Sequence, residues 1–318
     1  MTDDPRFDSA HTALAADRYR RSRGVWRGVA FFALAIAVLV LVGRFAFFEG
    51  AGASGRIARV VIDGTITTNR ERQDALTALA EDDRVEAVIV SINSPGGSTA
   101  GGEELYEALA VLRAQKPVVS VINELGASAA YMTAIGTDRI FARRLSIVGS
   151  IGVLYQHVNA GKLLDTVGID LDKVASGPLK AEPDFDEPIT GEVRASIAAM
   201  VDDSFNWFVD VVAERRGLPR PQTLMLSDGR IVSGRVALES GLIDAIGGEA
   251  EAIAWLEAER EVAADLPVVT AWPQGDEGFG WLTRFVGEKA RSALGLPPGS
   301  GAVPLDGLVS LWQVDLSR

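Results

Sequence analysis

From Arg56 to Ile122 the chain alternates short β-branched runs with segments of helical period, and no other feature restricts its fold as tightly. Residues 57–62 (Ile-Ala-Arg-Val-Val-Ile), 85–92 (Val-Glu-Ala-Val-Ile-Val-Ser-Ile) and 117–122 (Pro-Val-Val-Ser-Val-Ile) read as strands. Their apolar residues run on rather than alternating with polar ones, so both faces need cover, as in a parallel sheet flanked by helices. Residues 70–81 and 100–114 supply the helical spacing between them. A helix over 127–135 and short strands at 140–142 and 151–154 continue the pattern. The fold class is therefore α/β, built from repeated β-α units with a mostly parallel sheet.

The second half is more helical. Residues 190–216 carry Ile197, Met200, Val201, Phe205 and Phe208 at three-to-four spacing, an amphipathic helix. Residues 228–247 predict a turn, a short helix and a strand. Past Leu266 the chain reads as irregular and proline-rich, except that residues 279–294, with Trp281 and Phe285, have an amphipathic spacing. Such a helix suits a membrane surface or a neighbouring subunit, but amphipathicity is common, and a helix packed on its own domain or a mobile tail is the commoner reading.

The N-terminus has a different character. Gly28 to Gly43 is an uncharged run; as helix it reaches about 24 Å, and about 31 Å through Phe48, against a hydrocarbon core of about 30 Å. Arg44 near its end can snorkel to the interface. Arg18, Arg20, Arg21, Arg23 and Arg27 precede the run, which places a basic tail (1–27) in the cytoplasm and the chain after the transmembrane helix (28–48) on the outer side of the membrane. A cleaved signal peptide is the competing reading, with Ala51-Gly-Ala53 as the small-residue site, but the leader and apolar run are long for one. Residues 49–55 read as a linker. Their Gly50-x-Gly52-x-x-Gly55 match to the dinucleotide fingerprint is rejected, because the fingerprint needs a strand before it and a helix after it.

Composition removes several chemistries. There is no cysteine, so thiolate nucleophiles, disulfides and thiolate metal sites are excluded. Of the two histidines, His11 lies in the polar tail, leaving His157 as the one candidate base for a Ser-His-Asp arrangement and no ordinary zinc site. No cofactor and no metal are expected. A net charge of −12 argues against a nucleic-acid partner.

Three segments remain for catalysis. Asn93-Ser-Pro-Gly-Gly-Ser98 follows a strand, where glycines let backbone N–H groups face a ligand or simply make a turn. Gly126-Ala-Ser128-Ala-Ala130 lies between a strand and a helix and is one glycine short of the G-x-S-x-G elbow. Ser128 there is either a helix cap or a nucleophile. Lys180 closes Ser176-Gly-Pro-Leu-Lys180 and is one of five lysines. An ordinary lysine, with pKa near about 10.4, stays charged at neutral pH, and accepts a proton only if desolvation lowers that value. A surface charge is the commoner role of such a residue.

Together these segments resemble the SppA-type signal peptide peptidases, membrane-anchored serine proteases of ClpP/crotonase-like fold, over residues 56–261. The resemblance implies a protease domain at 56–265 and a C-terminal extension at 266–318. It makes Ser128 the nucleophile, Lys180 the general base, and Ser150, in Val148-Gly-Ser-Ile-Gly152, the residue that orients the lysine. It makes the backbone of Gly97 the oxyanion donor. Ala129-Ala130 stand where the family commonly has two glycines. Asp228-Gly-Arg230, Gly234, Ala237 and Gly241-Leu-Ile-Asp244 match a later signature, read as structural. The implied substrates are remnant signal peptides and other extended apolar or misfolded chains, cut by a ring-shaped homo-oligomer in which either one subunit or two supply the dyad. Two other functions fit the same fold: an acyl-CoA enzyme of the crotonase type, and an inactive membrane scaffold.

Overall fold

The computed structural model describes residues 29–36, 38, 55–189 and 191–273, and the backbone of 309–311. The chain divides into two compact units, Met1–Ser54 and Gly55–Arg318. In the first, residues 29–36 and 38 are helical (α1). The rest of the expected transmembrane run, the basic tail and most of the linker lie outside the described residues. Among the described residues no helix is long and apolar enough to cross a membrane.

The second unit is built on strands β1 (Arg56–Asp63), β2 (Val85–Ser94) and β4 (Val118–Ala127), parallel and adjacent. Their apolar runs are explained by cover on both faces. Val88, Val90 and Ile92 of β2 pack with Leu76 and Leu79 of α2 (Arg70–Glu81), Leu105, Leu109 and Leu112 of α3 (Thr99–Arg113), and Phe208 of α6 (Gly191–Arg216). Ala87 and Ile89 turn the other way, onto Ala252 and Leu256 of α9 (Glu249–Glu259). Each Leu, Ile or Phe withdrawn from water in this way contributes about 1.5–3 kcal/mol. The mixed α/β class with a mostly parallel sheet is thus the one the sequence pattern predicts.

The edges depart from the sequence reading. Residues 268–272, read as irregular, form β9 (Val268–Trp272), which pairs parallel with β1. No strand spans 151–154; the strand is β6 (Ile147–Gly149), parallel to the far end of β4, with β7 (Ile231–Ser233) antiparallel beyond it. Strand β5 (Arg139–Ala142) pairs with the near half of β4 and with β8 (Ala245–Ile246). β4 also runs five residues past the Ile122 end expected for it, because β6 offers Leu125–Ala127 a second partner. The helix expected from 127 therefore begins later, as α4 (Ala129–Ile135). Short helices α5 (Gly161–Val167), α7 (Arg220–Leu226) and α8 (Gly234–Glu239) complete the unit. Residues 279–294 lie outside the described residues.

Candidate active site

Ser128 occupies the step from β4 into α4, with φ 58° and ψ −120°. Positive φ on a non-glycine residue costs about 1–3 kcal/mol, and such strain gathers at functional sites. Although Ser128 stands at the N-cap position, its side chain makes no capping hydrogen bond. The cap reading of this serine therefore fails. Its backbone is fixed from both sides: the Ser128 N–H donates to Gly149 O at 2.8 Å, and the Met132 N–H to Ser128 O at 2.9 Å.

Ser150 lies beside it. The register pairs Ala127 with Gly149, so the two serines leave adjacent parallel strands one residue later at the same end of the sheet. Ser150 also has positive φ, 52°, and its N–H donates to Arg230 O at 2.7 Å. The Asp228–Asp244 stretch thus braces the site. Within it, Asp244 accepts two hydrogen bonds from Arg216 (2.8 and 3.0 Å) and one from the Ile140 N–H, and Leu242 O accepts the buried Tyr131 hydroxyl at 2.8 Å. Burial pushes the Tyr131 phenol well above its usual range, so it stays a donor.

Gly97 reaches the same end. Pro95 interrupts β2, but the backbone becomes extended again as β3 (Gly96–Ser98), which packs beside α4. The loop reading of 93–98 missed this strand, because its partners are remote in sequence. Ile66 N–H donates to Gly96 O (2.8 Å) and Ser98 N–H to Ile66 O (2.9 Å), a parallel bridge. Backbone groups alternate along a strand, so the N–H and C=O of Gly97 face the opposite edge. A Cβ at Gly97 would stand 1.7 Å from Ile66 O, so glycine is required here by contact. On the opposite edge runs β10 (Val309–Leu311), antiparallel, with Ser310 opposite Gly97.

Ile66 was not singled out by its sequence, yet it aims Gly97. It is held in turn by a mostly buried ion pair. Arg72 Nη2 donates to Thr67 O (2.7 Å) and to Glu104 Oε1 (3.2 Å), and the same carboxylate oxygen accepts the Asn69 N–H at 2.9 Å.

Lys180 is the exception. It lies on an exposed segment running from Gly152 to α6, and its side chain has no hydrogen bond or ion pair among the described residues. Lys180 is exposed to solvent, since its segment has few neighbours among the described residues to exclude water. Nearby Lys173 is bound by Glu182 and Asp184, which raise its pKa and keep it charged. His157 Nε2 lies 2.9 Å from the Glu187 carbonyl, and its ring makes no ion pair among the described residues.

Alanine at position 129 has a packing reason. A Cβ on Gly102 of α3 would meet Ala129 Cβ at 3.0 Å and Met132 Sδ at 2.9 Å. The glycine that lets α3 and α4 approach is carried on α3, which leaves room for alanine on α4.

The sequence of residues 110–263 matches the model of peptidase family S49. A Synechocystis protein named as a protease is 36% identical over 63% of this chain and 73% of its own length. A Methanocaldococcus jannaschii protein, likewise named as a protease, is 34% identical over 67% of this chain and 68% of its own. An Enterococcus faecium protein that bears the name signal peptide peptidase SppA is 28% identical over 83% of this chain and 78% of its own. With a strained serine at a strand-to-helix turn and relatives of this kind, the chain belongs to peptidase family S49, the serine proteases to which the signal peptide peptidases are assigned.

Proposed function

We propose that the protein is a membrane-anchored endopeptidase that cleaves remnant signal peptides and other extended apolar chains through a Ser128/Lys180 dyad. The observation that carries this reading is the Ser128 turn: a strained serine, its hydroxyl not used as a cap, next to an edge at which a backbone N–H faces outward. Ser128 Oγ attacks a peptide carbonyl and its proton passes to the neutral amine of Lys180. The N–H of Gly97 holds the oxyanion that forms. As the C–N bond breaks, Lys180 returns the proton to the leaving amine, and Ser128 keeps the acyl group. Water, deprotonated by Lys180, then attacks the ester and frees the acid and Ser128.

Assembly supplies the cover that Lys180 lacks among the described residues. From Leu154 to Phe185 the segment around Lys180 exposes Val158 (71%), Leu163 (64%) and Val174 (101%), and α5 buries no residue. Apolar surface of this extent marks a contact with another protein. In our reading a second copy covers it, desolvates Lys180 and brings it to a Ser128, in a homo-oligomeric ring. The anchor is the Gly28–Phe48 run, with the catalytic unit on the outer side of the cytoplasmic membrane.

A serine-directed phosphonate probe tests the assignment. The assembled protein is expected to be labelled on Ser128, and Ser128→Ala and Lys180→Ala to lose peptide cleavage while remaining folded. A lysine base also requires kcat/KM to rise with pH. Full activity in Ser128→Ala would remove the dyad, and an unlabelled, inert wild type would leave the scaffold reading.

A further inference from the structure

The loop from Gly64 to Asn69, between β1 and α2, supplies no group to the chemistry above, yet a buried charge holds it. Arg72, in the first turn of α2, is 7% exposed, the one charged residue in the interior among the described residues. Its Nη2 donates to Thr67 O and to Glu104 Oε1, while its Nε has no hydrogen-bond partner among the described residues. Withdrawing a guanidinium from water with one donor unpaired costs free energy that an apolar side chain of similar size would not. Burial accordingly lowers the Arg72 pKa, against the pull of Glu104. Packing does not account for such a residue, whereas the contacts of Nη2 do.

Those contacts converge on β3. Thr67 follows Ile66, whose N–H and C=O bond Gly96 and Ser98 in an isolated bridge. Thr67 also meets α3, since a Cβ on Gly101 would stand 2.7 Å from Thr67 C. Glu104 lies one turn further along that helix, whose N-terminus is capped by the Ser98 hydroxyl at the end of β3. Loop, strand and helix thus close a circuit of contacts, and Arg72 is the link that α2 provides. We propose that Arg72 and Glu104 are positioning residues for the oxyanion donor. Through Thr67 and Ile66 they fix where the Gly97 N–H stands, without touching substrate. The inference rests on the reading above for the task of Gly97. Two backbone bonds alone let a bridge shift, and a misplacement of about 1 Å costs on the order of 100-fold in rate. A charge-assisted bond is the stronger tether for such a loop.

Arg72→Met combined with Glu104→Gln, in the full chain, tests the link. Unlike Arg72→Met alone, the pair leaves no carboxylate without its cation, and the new amide oxygen can still accept the Asn69 N–H. The double variant is expected to unfold near the wild-type midpoint, with kcat lowered about 10- to 100-fold and KM within about threefold. Arg72→Lys, which keeps the charge and a donor for Thr67 O, should lose less kcat than the double variant. Amide hydrogen exchange reads the geometry directly. In the double variant the Ile66 and Ser98 N–H groups are expected to lose protection, while those of Val88 and Val90 in β2 keep theirs. Wild-type kcat in the double variant overturns the proposal, and so does unchanged exchange at Ile66 and Ser98. A kcat loss that tracks a lowered unfolding midpoint and vanishes on cooling overturns it too, since that is a stability effect alone. If the wild type cleaves nothing but exchange at Ile66 and Ser98 quickens in the variant, the clamp on β3 stands and the protease reading falls.

Discussion

Gly97 and Ser128 meet opposite residue-scale demands. At Gly97 any side chain collides with Ile66 O, so its identity is fixed by a contact 1.7 Å from a missing Cβ. At Ser128 the backbone adopts positive φ in spite of a side chain, at a cost of about 1–3 kcal/mol. The glycine positions a backbone donor, and the serine places a hydroxyl where strand and helix meet. Gly97→Ala is accordingly expected to push β3 from Ile66 and to lower kcat/KM by about 100-fold or more, the scale of losing one oxyanion donor. Circular dichroism should still report a folded protein, with a lower melting temperature. Undiminished cleavage by this variant would remove Gly97 from the mechanism. Both residues could be picked out in the sequence, one from Ser-Pro-Gly-Gly and the other from the small-residue turn. Ile66 could not, because it acts through its backbone, and nothing in Gly-Thr-Ile-Thr-Thr distinguishes it.

At the scale of elements, α4 is the piece on which the site turns. It buries all seven of its residues, and its N-terminal step carries Ser128. It is tied to the Asp228–Asp244 stretch by the Tyr131 hydroxyl, which donates to Leu242 O with no water to replace it. Tyr131→Phe leaves that carbonyl unpaired and is expected to cost about 1–3 kcal/mol of stability in denaturant unfolding. Cleavage should fall less than stability does, because the Ser128 N–H remains bonded to Gly149 O. A stability change near zero would mean that Leu242 is not the anchor of α4. The elements read from long apolar runs (β1 and β2) and from clear helical spacing (α2) lie where their patterns put them. The three-residue strands β3, β6 and β7 do not announce themselves, since each exists only because a remote partner is presented to it. The helix stripe at 190–216 shows the same limit: Phe208 is buried, while Met200 is 45% exposed.

For the molecule as a whole, the covered sheet and the bare segment from 152 to 189 make a clear division. One is saturated with internal contacts; the other holds its apolar side chains out to solvent, with Lys180 among them. If a second copy covers that segment, charging it should dissociate the assembly without unfolding the sheet. Val158→Asp combined with Val174→Asp is therefore expected to shift light scattering from oligomer to monomer and to abolish cleavage, with the unfolding midpoint nearly unchanged. A fully active monomer would show that both dyad residues act within one chain. Sequence alone determined the α/β class, and its short motifs, through the family resemblance they carry, pointed to Ser128, Ser150, Gly97 and Lys180, because periodicity and short motifs are local properties of a chain. Tertiary structure alone decided which of them meet. The β4–β6 register sets Ser128 beside Ser150, the Ile66 bridge turns Gly97 outward, and β10 is laid against Gly97 from more than two hundred residues away, whereas Lys180 stays in solvent. Register, bridging and desolvation arise between segments distant in sequence, so no window along the chain contains them.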